Sequence, residues 1–300
     1  MNEANESPRL AALSMGASIP QAGFSGVVHS IFRSALNLRL QNEEGLLTLV
    51  AAGEADLPQG IRVDTPAGFT FEQFKVGELV LCDAEYLRLD SLTVDLRGVP
   101  HWKCDLPSLK ADMTNPSVRQ AWETVWQALN KRQQAAGADI IAQDLIHPTN
   151  GASNRISQRA GDALRKLLHS ARRHDPTDME TPLRFLIGLG SGLTPSGDDL
   201  LVGFLAGLWC GIHKSDERKA FIDTLAQAIS HLSTRTNDIS RTYLIHAARG
   251  QVSSRLANLA GSICTADSSD RLLPGFESAA QTGHSSGMDA VTGLLLGLDV

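Results

Sequence analysis

Twelve residues, Gly188-Leu189-Gly190-Ser191-Gly192-Leu193-Thr194-Pro195-Ser196-Gly197-Asp198-Asp199, gather four glycines, two hydroxyls flanking a proline and two adjacent aspartates. Glycine lets backbone N–H groups turn towards an anion, and a helix start adds free donors and the positive end of its dipole. The chemistry that suits this run is to hold a phosphate, or to polarise a carbonyl as an oxyanion forms. Gly190, Ser191, Gly192 and Gly197 would supply backbone, and Thr194 and Ser196 hydroxyls. Asp198 and Asp199 repel an anion, so they imply an intervening cation, Mg²⁺ or a nearby arginine, or a ligand amide that one of them binds. The run is not a Walker loop, because aspartate stands where that loop has lysine. No resident metal or other cofactor is expected, with Mg²⁺ the one open option. A glycine-rich connection into a core helix capped by Ser196 and Asp199 is the plain alternative.

A second candidate is Ser233-Thr234-Arg235-Thr236, followed by Asn237 and Ser240. Hydroxyls and a guanidinium at a helix start make a phosphate clamp. The string is the same as the signature with which aspartate- and ornithine-type transcarbamoylases grip carbamoyl phosphate. His147-Pro148-Thr149 resembles another of their motifs, but precedes the S-T-R-T string where theirs follows it. An ordinary polar helix cap also explains these residues. The third candidate is Gly283-His284-Ser285-Ser286-Gly287-Met288-Asp289, in which His284 has the titration range of an acid or base, against the plainer reading of a solitary surface histidine. No H-x-x-x-H spacing and no nucleophile elbow with a credible triad occurs, and Cys210 lies in an apolar helix where a thiol is inert.

The elements that must position these residues include an internal repeat. Ser196 to Leu208 aligns without gaps on Ser286 to Leu298 as S-G-x-D-x-x-x-G-x-L-x-G-L. Each copy reads as a helix opened by serine with aspartate three residues on, the capping-box spacing, and both are apolar nearly all round and so buried. Gly203, Gly207 and Gly211, like Gly293 and Gly297, recur every four residues. Each glycine costs about 1 kcal/mol against alanine in a helix interior. Such a ridge is reasonable only where another backbone or a ligand packs very close. The two helices are therefore expected to pack together and bring Ser196, Gly197, Asp199, Ser286, Gly287 and Asp289 to one site.

The chain has 300 residues, 42% hydrophobic and 20% charged, enough to bury a sizeable core. Its 27 Lys+Arg against 33 Asp+Glu leave a net charge of -6, which argues against nucleic acid or an anionic membrane as partner. Four scattered cysteines (Cys82, Cys104, Cys210, Cys264) read as reduced thiols, and neither a signal peptide nor a membrane span is seen, so a cytoplasmic protein is expected. The fold expected is α+β. Residues 1–22 read as a flexible N-terminus. Residues 23–106, short apolar runs between turns such as Pro58-Gln59-Gly60, read as a small β-barrel or sandwich. Residues 107–300 read as a mostly helical domain carrying the glycine-rich site, opened by Asn115 as cap and Pro116 at the first helical position. No β-α-β alternation appears, which excludes a dinucleotide-binding sheet.

The runs GLGSGLTPSGDDLLVGFLAGL, TRTNDIS…LIHAARG and GHSSGMDAVTGLLLGL resemble the AllH-type subunit family of oxamate carbamoyltransferase, and the layout of most of the chain fits. The resemblance implies an enzyme of anaerobic allantoin breakdown that converts oxalurate and phosphate into oxamate and carbamoyl phosphate. It implies partner subunits, among them a larger one similar to succinyl-CoA synthetase, and a small anionic substrate. The residue roles come from the residues themselves. The glycine run with Thr194 and Ser196 would hold phosphate or polarise the carbonyl. Arg235, helped by Thr234 and Thr236, would pair with phosphate or with the oxalurate carboxylate, and Asp198 or Asp199 would bind the carbamoyl NH₂. A non-catalytic assembly subunit, and a Mg²⁺-dependent phosphotransferase or hydrolase with Asp198 and Asp199 as ligands, remain the alternatives.

Overall fold

The structure is a computed structural model that describes residues 8–41, 45–136, 141–146, 155–283 and 285–300. The chain divides into two compact units, one ending at Lys103 and one starting at Cys104.

The first unit is all-β. Its strands are β1 (Arg9–Gly16), β2 (Phe24–Ile31), β3 (Ala35–Leu40), β4 (Leu46–Ala51), β5 (Gly60–Val63), β6 (Leu79–Cys82), β7 (Tyr86–Leu89), β8 (Leu92–Asp95) and the two-residue β9 (His101–Trp102). They follow the order β5-β4-β3-β2-β6-β7-β8-β1-β9, and β1 also pairs with β5, so eight strands close into a ring and β9 pairs in parallel with the end of β1. Of the two architectures expected, the barrel is the one formed, and closure leaves no free sheet edge in the ring. The alternation that marks a half-buried strand fills the interior: Leu36, Leu38, Leu47, Leu49, Leu87 and Val94 all face one core. One expectation is corrected. Residues 1–22 were read as flexible, but β1 pairs in parallel with β8 (Leu10 with Val94) and antiparallel with β5 (Met15 with Ile61), and it closes the barrel.

The second unit is helical. Among the described residues it holds α1 (Pro116–Ala136), α2 (Ala142–Ile146), α3 (Arg155–Arg173), α4 (Glu180–Leu186), α5 (Ser196–Cys210), α6 (Asp216–Leu232), α7 (Asp238–Ala248), α8 (Ser254–Cys264), α9 (Ser269–Ala280) and α10 (Ser286–Leu298). Asn115 caps α1 as its type predicts, its side chain accepting from the Ser117 N–H at 3.0 Å. No described helix is long and apolar enough to cross a membrane. All four cysteines are free thiols.

The two repeat helices, α5 and α10, form the centre of this unit. A Cβ added to Gly203 would overlap the Ala290 carbonyl, and one on Gly293 would overlap that of Leu200. Gly207 meets the Leu294 carbonyl and Gly297 that of Phe204 in the same way. Contacts that advance in step along both helices mean that the rods run parallel, backbone against backbone, with a local two-fold relation that reproduces the sequence repeat. The relation extends outward. Gly197 is pressed on the Leu186 carbonyl at the end of α4, and Gly287 on those of Ala279 and Ala280 at the end of α9. Parallel packing also sets two negative dipole ends side by side. There the buried Arg218 donates to the Val300 backbone oxygen at 2.8 Å and lies against Gly211, the residue that closes α5.

Candidate functional site

The loop between α4 and α5 runs from Ile187 to Pro195 and turns at Gly188 and Gly190, whose φ values of +79° and +117° exclude most side chains. Its geometry is fixed from the helix it precedes. Asp198, 1% exposed, accepts from the Gly188 N–H at 2.8 Å and from the Thr236 hydroxyl at 2.5 Å. Gly188 in turn lies against the Arg235 carbonyl, where even a methyl group would be tight. The glycine run and the S-T-R-T string, well apart in the sequence, are therefore neighbours. Burial pushes the Asp198 carboxyl above its ordinary value, and the bonds from Thr236 and Gly188 draw it back.

Asp199, on the neighbouring face of α5, faces the other rod. The Thr194 and Ser286 hydroxyls are 2.6 Å apart, and both bond the Asp199 carboxyl, so the loop, α5 and the first turn of α10 meet at one point. Asp289 is the repeat equivalent of Asp199 and is 2% exposed. Asp199 is held well above the ordinary carboxylate range, first by burial and then by the negative charges of Asp289 and Asp198. Its Oδ2 is buried without a hydrogen-bond partner among the described residues.

Several expectations need correction. Neither repeat helix opens with a capping box: Pro195 and Ser285 hold the cap positions, neither makes a side-chain cap bond, and Ser196 and Ser286 are already the first helical residues. The aspartates placed to cap are instead buried between the rods. Several of the first-turn amides are not free donors either. Gly197 N–H bonds Leu189 O at 2.8 Å, Asp198 and Asp199 N–H share Pro195 O, and Gly287 N–H bonds Thr282 O at 2.8 Å. Nor does the S-T-R-T string open a helix. Ser233–Arg235 is a single 3-10 turn closing α6, Asn237 caps α7, and the Thr234 hydroxyl points back to His231 O.

What stays available towards solvent is the loop crest and one cation. Ser191, Gly192 and Leu193 are exposed, and the exposed Arg235 makes no ion pair or hydrogen bond through its side chain among the described residues. Each Asp198 oxygen accepts one hydrogen bond within the chain, which ties this carboxylate to the loop and the Thr236 turn. Among the described residues no group of three or more His, Cys, Asp and Glu is arranged to hold a metal. His284 and the His147-Pro148-Thr149 string lie outside the described residues.

One opening was not foreseen. An open cleft of about 560 Å³ is lined by Trp209, Asp223, Gln227, Ser230 and Arg249. Trp209 lies ten residues beyond Asp199 on α5, roughly 15 Å along the helix. Its sequence signal is Arg249, the residue before the final glycine of the LIHAARG run.

Two descriptions of known families match the chain. Residues 186–298 match the family described as oxamate carbamoyltransferase subunit AllH, and residues 11–101 match the AllH family N-terminal domain, so that together they span most of the chain. The first match begins at the last residue of α4 and ends at the last residue of α10, enclosing both rods and the loop. No solved structure matches the chain.

Proposed function

The chain belongs to the AllH family of oxamate carbamoyltransferase subunits, and on that membership we propose that it helps convert oxalurate and phosphate into oxamate and carbamoyl phosphate in anaerobic allantoin breakdown, at a site centred on the α4–α5 loop. The observation that carries the reading is the convergence of the glycine loop and the Arg235 turn through Asp198, and of the paired rod starts through Asp199, at one place.

The reaction forms a bond from a phosphate oxygen to the carbamoyl carbon and breaks the bond from that carbon to the oxamate nitrogen. The phosphate proton ends on the departing nitrogen, which balances atoms and charge. The enzyme must hold two anions together and stabilise the oxyanion formed between them. Arg235 is the group here with an unused charge, and it suits phosphate or the oxalurate carboxylate. Thr234 and Thr236 frame it, and the exposed Ser191–Gly192 crest offers backbone. Asp198 acts as a positioning residue that ties loop to turn. Partner subunits, one of them similar to succinyl-CoA synthetase, would complete the site.

A second reading has its own support. The Gly197, Asp198, Asp199 and Gly287 amides that an anion could use are bonded within the chain, which suits a subunit whose rods serve assembly and whose catalytic groups lie on a partner. One experiment separates the two. With the subunits co-expressed, Arg235→Ala is expected to lower carbamoyl phosphate formation by about 100-fold, the scale of a lost anion-stabilising donor, with assembly intact. Near-normal turnover in an assembled complex would leave the assembly role.

A further inference from the structure

Two adjacent buried carboxylates should oppose an anion, yet the site proposed above lies beside Asp199 and Asp289. We infer that Asp199 and Asp289 share one proton across the seam between the two rods, so that the pair carries one negative charge and not two. The Asp199 side chain is nine-tenths buried, and its Oδ2 has no donor among the described residues. An ionised carboxylate only accepts hydrogen bonds, so a buried oxygen without a donor bears the full desolvation cost. A proton on it turns that oxygen into a donor, and the local two-fold sets the equivalent acid, Asp289, at the matching position of the facing rod, close enough for its charge to act on Asp199. Like carboxyls held together out of water ionise one at a time, as one unit with two successive titrations.

The surrounding charges point the same way. Asp289 on α10 and Asp198 on its own helix are the charges that act most on Asp199, and both disfavour its ionised form. On α4, Glu180 and Arg184 pair with each other at the surface. On α9, Glu277 pairs with Arg132 of α1. On α7, Asp238 and Arg241 are engaged in contacts of their own, and Arg235 in the turn before it is exposed. On α6, Asp223 lines the cleft beside Trp209, towards the other end of α5.

The consequence rests on the anion-binding reading, since halving the charge on the pair lets an anion approach the loop. The test does not, because it uses the full chain without substrate or partners. Infrared spectra in heavy water near neutral pH are expected to show a protonated-carboxyl band in the wild type that is absent from Asp199→Asn and from Asp289→Asn. An asparagine keeps the shape of a neutral carboxyl but cannot titrate. The shared proton is bound more tightly in the folded chain than in the unfolded one, so wild-type stability should fall as pH rises above the unfolded carboxyl value of about 3.9. Above that value the fall should be flattened in either variant. A wild type without the band overturns the inference even if neither variant folds, and so does an unchanged pH slope in both variants. A complex that forms no carbamoyl phosphate while the band is present would sink the functional reading alone.

Discussion

Asp198 and Asp199 are neighbours in the chain with opposite surroundings. Successive helix positions point about 100° apart, so one carboxyl reaches back to the loop and the turn while the other enters the seam between the rods. Asp198 has a donor for each oxygen, and its value to the fold lies in what it holds. Asp198→Ala should leave the Gly188 N–H and the Thr236 hydroxyl unsatisfied. Each such loss costs about 1–3 kcal/mol when buried, and less where water reaches the half-exposed loop. The expected result is a destabilisation of about 2 kcal/mol, with faster amide exchange at Gly188 that does not spread along α5. Unchanged exchange at Gly188 would show that the loop is held by other contacts. The residue types in this cluster were legible from the sequence, because glycines beside hydroxyls and acids are chemically uneven. Their partners were not. Thr236 is far from Asp198 in the chain, Gly188 lies in the same run with nothing in its type to mark it as the partner, and a serine with an acid three residues later looks alike whether it caps a helix or is buried in one.

The rods show the same limit at the scale of elements. Glycine every fourth residue made a close approach of backbones readable, since the accumulated propensity penalty needs a compensating contact. The ridge by itself serves parallel and antiparallel pairs alike, so the expected meeting of the two helix starts could be decided only by contacts. Direction emerges from the contacts, Gly203 on Ala290 with Gly207 on Leu294, and it joins the two acid-bearing ends. Gly203→Ala weighs two effects against each other. Alanine gains about 1 kcal/mol of helix propensity. The new methyl meets backbone, which cannot swing aside as a side chain can, and overpacking of this kind costs about 1–3 kcal/mol or more. Overlap with the Ala290 carbonyl places this case at the severe end, so the loss should win. Thermal unfolding should drop by about 5 °C or more, at roughly 2–4 °C per kcal/mol for a unit of this size. Gly275→Ala, on α9 with open space around its Cα, should show no such drop. Equal melting of both variants would mean that the rods stand further apart than described.

For the whole molecule, the shift from short turn-separated apolar runs to helical spacing made two textures visible, and the structure divides the chain at Lys103. Where closure occurs was hidden. β1 lies within a stretch that reads as a tail, because a strand that seals a ring is recognised by its partners, Leu10 with Val94 and Met15 with Ile61, and not by its own sequence. The barrel has a core of its own, from Val28 and Leu36 to Val94 and Leu96, and the second unit has the α5–α10 seam. A unit with its own core can fold alone, and about 100 residues is sufficient for that. Residues 8–103 and 104–300, produced separately, are each expected to unfold cooperatively. Removing β1 tests the closure itself: a fragment of residues 18–103 loses the strand that joins β5 to β8 and exposes both as edges, which invites pairing between chains. That fragment should aggregate or unfold without a cooperative transition, whereas residues 8–103 should not. Equal behaviour of the two fragments would place β1 outside the barrel that the register describes.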